Sequence, residues 1–182
     1  MTRKIIFIGG IHGVGKSTLC KKITNLMGIQ SYSASSLIKS VSDLNFPSDK
    51  KIKGINKNQD LLIDAVDKYI DPNRYCLLDG HFCLLNQNGK ITDIPIATFT
   101  DLSPAAILVL TNDPKIIYSQ IKDRDGNEME MEIESISSFQ EKELEQSKLV
   151  SQLLNIPWLS EKPIKRTSHI ESFISNIVKD ES

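Results

Sequence analysis

Arginine, cysteine and long apolar runs are all scarce in this chain, and each shortage closes off a class of function. Of 182 residues only four are arginine (Arg3, Arg74, Arg124 and Arg166), and the net charge is −1. Proteins that grip long DNA or RNA present a stripe of positive charge to the phosphate backbone, so nucleic acid is not an expected partner. Cys20, Cys76 and Cys83 are an odd set without C-x-x-C spacing. That argues against a disulfide framework or a zinc site and for a reducing, cytoplasmic setting. No apolar run approaches the roughly 20 residues of a membrane span. Arg3 and Lys4, followed by a short apolar run ending in glycines, lack the shape of a secretory leader. With 40 % hydrophobic residues the chain can bury one sizeable core, so residues 1–182 are expected to form a single domain. Nothing in the composition specifies an oligomeric state.

What the chain does contain is a phosphate-binding loop. Gly10-Ile11-His12-Gly13-Val14-Gly15-Lys16-Ser17-Thr18 carries the pattern G-x-x-x-x-G-K-[ST]. The glycines let the backbone turn tightly and aim N–H groups at phosphate oxygens. The helix that starts at Lys16 adds the positive end of its dipole. Lys16 supplies a point charge for the outer phosphates, and the Ser17 hydroxyl can ligate Mg²⁺. His12 stands at a variable position of the loop, where its N–H matters more than its ring. The expected ligand is ATP with Mg²⁺.

The surrounding pattern alternates strand and helix. The β-branched run 4–9 reads as a buried parallel strand, and Leu19, Ile23 and Leu26 fall at helical spacing behind the loop. Further strands are expected at 29–33, 75–78, 105–111 and 156–159, and helices at 58–70, 114–122, 133–154 and 169–179. Residues 79–104 read as a loop around the turn signal Asn88-Gly89. Such alternation predicts a three-layer α/β/α P-loop NTPase domain with a five-stranded parallel sheet. The long helix at 133–154 reads as structural, with Phe139, Leu144, Leu149, Leu153 and Leu154 as its apolar residues and Glu141, Glu143 and Glu145 on a solvated face.

A second motif lies in Tyr75-Cys76-Leu77-Leu78-Asp79-Gly80-His81. An apolar strand ending in an acid reads as a Walker B element, whose carboxylate can hold Mg²⁺ beside Ser17. His81 sits two residues beyond and can serve either an acceptor or phosphate contact or a loop carbonyl.

In the order and spacing of these parts the chain resembles the adenylate-kinase-like group of P-loop kinases. Within it the likeness is to archaeal-type adenylate kinases and related small ATP-binding proteins, which can carry an acid-x-histidine triplet where Asp79-Gly80-His81 stands. The resemblance implies transfer of the γ-phosphoryl group of ATP to a small acceptor, most simply a nucleoside monophosphate. It implies a helical acceptor-binding insert at 36–72, with Ser35 and Lys39 at its start, and a short lid at 122–132. Lys39 stands where bacterial-type relatives have an arginine, and Cys83 where a second arginine follows the Asp-Gly strand end. A lone lysine does not reproduce a bidentate arginine clamp. Arg124, with Lys122 beside it, is the lid's candidate for charge stabilisation of the moving phosphoryl group, so Lys16, Arg124 and Asp79 form the expected catalytic set. Position alone assigns Asp93 and Thr100 as acceptor contacts and Lys162-Pro163-Ile164 as neighbours of the nucleotide base. The competing reading is a nucleotide-binding or ATP-hydrolysing switch that acts on a protein partner without an acceptor. A 5′-polynucleotide kinase ranks third because of the acidic balance.

Overall fold

A run of β-branched and aromatic residues with no polar side chain is stable only where both faces are covered. Strand β1 (Ile5–Gly9) is such a run, buried throughout. In the computed structural model, which describes residues 2–45, 55–86, 88–125, 132–163 and 167–179, it takes the middle of the sheet. The other elements in chain order are α1 (Lys16–Met27), β2 (Gln30–Ser33), α2 (Ala34–Asn45), α3 (Ile55–Tyr69), β3 (Cys76–Asp79) and β4 (Cys83–Leu85). Then come β5 (Ile91–Asp93), α4 (Ile96–Leu102), β6 (Ala106–Leu110), α5 (Pro114–Asp125), α6 (Ile133–Leu154), β7 (Trp158–Glu161) and α7 (Ser168–Lys179).

Five strands form one parallel sheet in the order β2-β3-β1-β6-β7. The register sets Ile8 opposite Asp79 on one side and opposite Leu108 on the other. Helices joining parallel strands must pack on the sheet faces, which gives the α/β P-loop NTPase fold. The core includes a cluster of three aromatic rings packed against β1. Phe7 meets Phe82 edge-on at 5.0 Å, and Phe82 stacks on Phe99 at 4.8 Å. Gly9 makes room for this cluster, since a Cβ there would lie 2.4 Å from the Phe82 ring.

Several boundaries differ from the sequence expectation for identifiable reasons. The last strand begins at Trp158 rather than two residues earlier. Asn155, at φ 52°, closes α6 in the left-handed conformation, and the Ile156 N–H returns to the Ser151 carbonyl, so the cap consumes that stretch. The Asn88-Gly89 turn belongs to an antiparallel hairpin, β4–β5, with Gly89 at φ 72°. Three-residue strands are too short to show alternation in a sequence. Leu26, Leu149 and Leu153 prove exposed at 58, 45 and 60 %. On α6 the inward stripe is instead Ile136, Phe139, Glu143, Ser147 and Val150.

Phe82 is wholly buried and touches both other rings. Phe82→Ala is expected to lower unfolding free energy by about 3–5 kcal/mol in urea titrations monitored by circular dichroism. A loss below about 1 kcal/mol would show that the ring cluster is not a core element.

Candidate functional site

The loop over residues 10–18 leaves the carboxyl end of β1 and enters α1, where ligands of parallel sheets gather. Its shape depends on Gly13, at φ 77° and packed so closely on α5 that a Cβ would come within 2.3 Å of Ile121. Lys16 is buried at 7 % exposure. Its Nζ donates to the carbonyls of Gly10 at 2.6 Å and Ile11 at 3.2 Å. It also lies 3.9 Å from Oδ1 of Asp79. The Ser17 hydroxyl donates to Oδ2 of the same carboxylate at 3.1 Å. Lys16 and Ser17 stand some sixty residues from Asp79 in sequence and meet it at one point because β3 pairs directly with β1.

Burial dominates the electrostatics there. It pushes the Lys16 ammonium below its ordinary value, with Asp79 and Glu143 acting in the opposite sense and Arg124 adding to the depression. It raises the Asp79 carboxyl, against the pull of Lys16 and the Ser17 hydrogen bond. The His81 ring is pushed down to about 3, first by burial and then by Lys16 and His12, so it is neutral. Its Nδ1 is buried without a hydrogen-bond partner among the described residues, 3.9 Å from Glu143.

Glu143 is the residue that sequence reasoning misplaced. Expected on a solvated face, it is 1 % exposed. Its Oε1 accepts N–H bonds from Gly10 at 3.0 Å and Phe82 at 2.8 Å, and its Oε2 accepts one from Cys83 at 2.8 Å. Burial raises its carboxyl, while the three donors and Lys16 favour the charged form. One side chain on α6 thus ties the start of the P-loop to the turn after β3. Its spacing, four residues after Phe139 and seven before Val150, was the available signal for an inward position. Solvent-facing neighbours Glu141 and Glu145 obscured it.

Beside Asp79 opens a cavity of about 370 Å³. Its walls come from α2, α3, α4 and the ends of β1 and β3, and include Phe7, Ser33, Gln59, Asp79 and Phe99. Of the three expected acceptor residues, Ser35 and His81 line it, whereas Lys39 is exposed on α2 and is not in the lining. Cys83 is buried and its thiol donates to Asp93, so this pair is occupied with itself. Thr100 is exposed and donates to the Ile96 carbonyl. Arg124 stands exposed in the last turn of α5, close enough for its charge to act on Lys16. Pro163 lies 3.6 Å from where a Gly15 Cβ would be. His12 is exposed. Ile164, residues 126–131 of the expected lid and residues 46–54 of the expected insert lie outside the described residues.

A family model described as an AAA domain matches residues 9–137, a span holding the P-loop, Asp79 and every described cavity-lining residue except Phe7. The chain belongs to that family. Among solved structures it resembles a gluconokinase from Sinorhizobium meliloti 1021, at 13 % identity and TM-score 0.51, over 96 % of this chain and 91 % of that one. It also resembles a provisionally assigned kinase from Chloroflexus aurantiacus J-10-fl, at 13 % identity and TM-score 0.54, over 100 % of this chain and 98 % of that one. These likenesses establish a fold shared with P-loop kinases. No helix among the described residues is long and apolar enough to cross a membrane.

The Glu143 arrangement makes a testable claim. Glu143→Leu keeps much of the volume but leaves three N–H donors unpaired, and is expected to cost at least about 3 kcal/mol of stability. Glu143→Gln retains one acceptor oxygen and should cost about 1–2 kcal/mol. Equal urea midpoints for wild type and Glu143→Leu would contradict this.

Proposed function

We propose that this protein is an ATP-dependent phosphotransferase whose acceptor enters the cavity beside Asp79. One observation carries the reading: Asp79 is both the partner of Ser17 in the P-loop and a wall of the cavity, so the phosphate site and the cavity meet at a shared residue. A switch that only hydrolyses ATP has no need of an enclosed site there. Family membership, the kinase-like fold and the resemblance to adenylate kinases support the same reading.

In this proposal the loop N–H groups cradle the phosphates, and Lys16 exchanges the carbonyls of Gly10 and Ile11 for the outer phosphate oxygens. Ser17 and Asp79 would hold Mg²⁺. They fit it, being adjacent hard oxygen donors, and the described residues contain no cluster of three or more His, Cys, Asp or Glu that could hold an ion alone. Two protein oxygens completed by phosphates and water suit Mg²⁺. When bound, the ion supplies charge neutralisation of the phosphates. The acceptor oxygen held in the cavity, a phosphate oxygen of a monophosphate or a hydroxyl oxygen of a sugar acid, forms a bond to the γ-phosphorus while the bond to the β–γ bridging oxygen breaks. That electron pair leaves on ADP, and where the acceptor is a hydroxyl its proton passes to solvent. Arg124 would stabilise charge on the equatorial oxygens.

The resemblance puts a nucleoside monophosphate first among acceptors, and the name of the Sinorhizobium neighbour adds sugar acids as a second class to test. The deciding assay supplies Mg²⁺-ATP with nucleosides, their monophosphates and sugar acids, and follows ADP release. At least one acceptor should accelerate release tenfold or more, about 1.4 kcal/mol off the barrier. Slow hydrolysis untouched by every acceptor would move the reading to a protein-directed switch.

Two substitutions sharpen this. Asp79→Asn keeps the shape and removes a charge, so it is expected to raise the Mg²⁺ concentration giving half-maximal turnover at least about threefold, with a much smaller change in ATP binding without Mg²⁺. An unchanged Mg²⁺ requirement would make Asp79 a turn residue only. Arg124→Ala is expected to lower kcat by about a hundredfold or more, with only a modest change in ATP affinity. Equal losses in ATP affinity and kcat/KM would instead place Arg124 in ground-state binding.

A further inference from the structure

Gln140, Glu143 and Gln146 stand on successive turns of α6, and each holds the backbone of a neighbouring loop. Gln140 serves both groups of Asn112, accepting its N–H at 2.8 Å and donating to its carbonyl at 3.0 Å. Gln146 donates to the carbonyl of Ile94, a cavity-wall residue, at 3.1 Å. Glu143 differs from both in joining two separate parts of the phosphate site. Its first contact is Gly10, whose N–H it accepts and whose carbonyl receives the Lys16 ammonium at 2.6 Å. The φ of 134° at Gly10 suits glycine, and a Cβ there would lie 2.7 Å from the Leu110 carbonyl oxygen, so this residue sits hard against β6. Its other contacts, Phe82 and Cys83, follow Asp79 by three and four residues. Asp79 in turn accepts from Ser17 at 3.1 Å and lies 3.9 Å from Lys16. One carboxylate therefore reaches both the seat of the lysine and the backbone that follows the acid.

We infer that Glu143 is a positioning residue for phosphoryl transfer: it sets the start of the P-loop and the end of β3 at the spacing that brings Lys16, Ser17 and Asp79 onto one phosphate. It acts through Gly10 and the turn after β3, not on the reacting atoms, from 133 residues away in sequence. Transfer needs these groups to converge on the moving phosphoryl group, and a misplacement of about 1 Å costs about a hundredfold in rate. Holding ATP in the ground state draws on many loop N–H groups and is less sensitive to that spacing. The role therefore shows as a loss of turnover larger than the loss of affinity. The inference rests on the reading of this site as one that acts on the γ-phosphate of ATP, and adds a residue to its machinery.

The test compares Glu143→Gln and Glu143→Asp with Gln146→Leu, all in the whole chain. Glutamine keeps the shape but turns one oxygen into a donor that faces an N–H group. Aspartate keeps both oxygens and withdraws them by one methylene, so either variant disturbs the spacing if the other fails to fold. Gln146→Leu frees α6 from Ile94 and leaves the Gly10 bond in place, so it reports what a general loss of stability does. For each folded variant, checked by its urea midpoint, acceptor-free hydrolysis of Mg²⁺-ATP is followed in single turnover, and the β,γ-imido analogue of ATP is titrated calorimetrically. The Glu143 variants are expected to hydrolyse ATP about tenfold or more slowly, with analogue affinity within about threefold of wild type. Gln146→Leu is expected to stay within about twofold of wild type in both. A folded Glu143 variant with the wild-type rate, a loss of affinity equal to the loss of rate, or an equal loss of rate in Gln146→Leu would each overturn the inference. Acceptor-stimulated ADP release separates the two claims. If no acceptor accelerates release by wild type, the phosphotransferase reading falls, while slowed hydrolysis in the Glu143 variants leaves the positioning role standing. Release accelerated equally in wild type and the Glu143 variants does the reverse.

Discussion

Holding the Glu143 carboxylate out of water is the constraint on which the working end of this fold depends. A buried carboxylate costs several kcal/mol in lost hydration unless partners replace it. Its replacements are three backbone N–H groups from two separate loops, those of Gly10, Phe82 and Cys83. The loops leave neighbouring strands, whose register sets Ile8 opposite Asp79 but does not reach Phe82 and Cys83. Glu143, coming in from α6, does reach them. It also explains the resting place of Lys16. Between Asp79 and Glu143 the ammonium is stabilised inside the protein, and it folds back onto the Gly10 and Ile11 carbonyls instead of extending into water.

The strand order determines what that anchored point looks onto. Because β3 lies next to β1, with Ile8 paired to Asp79, the acid arrives beside the P-loop with no loop of its own to place it. Two excursions of the chain then build the adjoining walls. The passage from β2 to β3 contributes α2 and α3, and the passage from β3 to β6 contributes the β4–β5 hairpin and α4. Parallel strands require such crossovers, and this chain uses both to enclose a space at the carboxyl edge. The aromatic cluster makes the floor of that space part of the core, since Phe7 and Phe99 belong to both.

How much of this was legible depends on what each feature is made of. A P-loop needs contiguous residues with fixed chemistry, so residues 10–18 announce it, and the apolar strand ending at Asp79 follows from alternation of elements. Glu143 could not be recognised by type, because its partners are backbone N–H groups, which any sequence supplies. Only its place in the stripe with Phe139 and Val150 distinguished it from Glu141 and Glu145. Lys39 was expected at the acceptor by analogy of position. The helix carries it outward, since Leu37 and Val41 face the core and a residue two positions from each falls on the opposite side of the helix. The hairpin escaped notice because its strands are shorter than a period-two pattern can reveal.

The position of His81 ties these threads to the chemistry. Were it protonated, the Asp79-Gly80-His81 triplet would place a cation in the cavity wall, and a phosphorylated acceptor would have a partner. Burial forbids that, and the nearby charge of Lys16 opposes it further. The triplet therefore contributes one carboxylate and one neutral ring. Positive charge is placed on the P-loop side, where Lys16 lies and where ATP would bring four negative phosphate oxygens into the same small volume. Burial and charge act together here: burial pushes Lys16 toward its neutral form while Asp79 and Glu143 pull it back, and burial first, then Lys16 and His12, push His81 down.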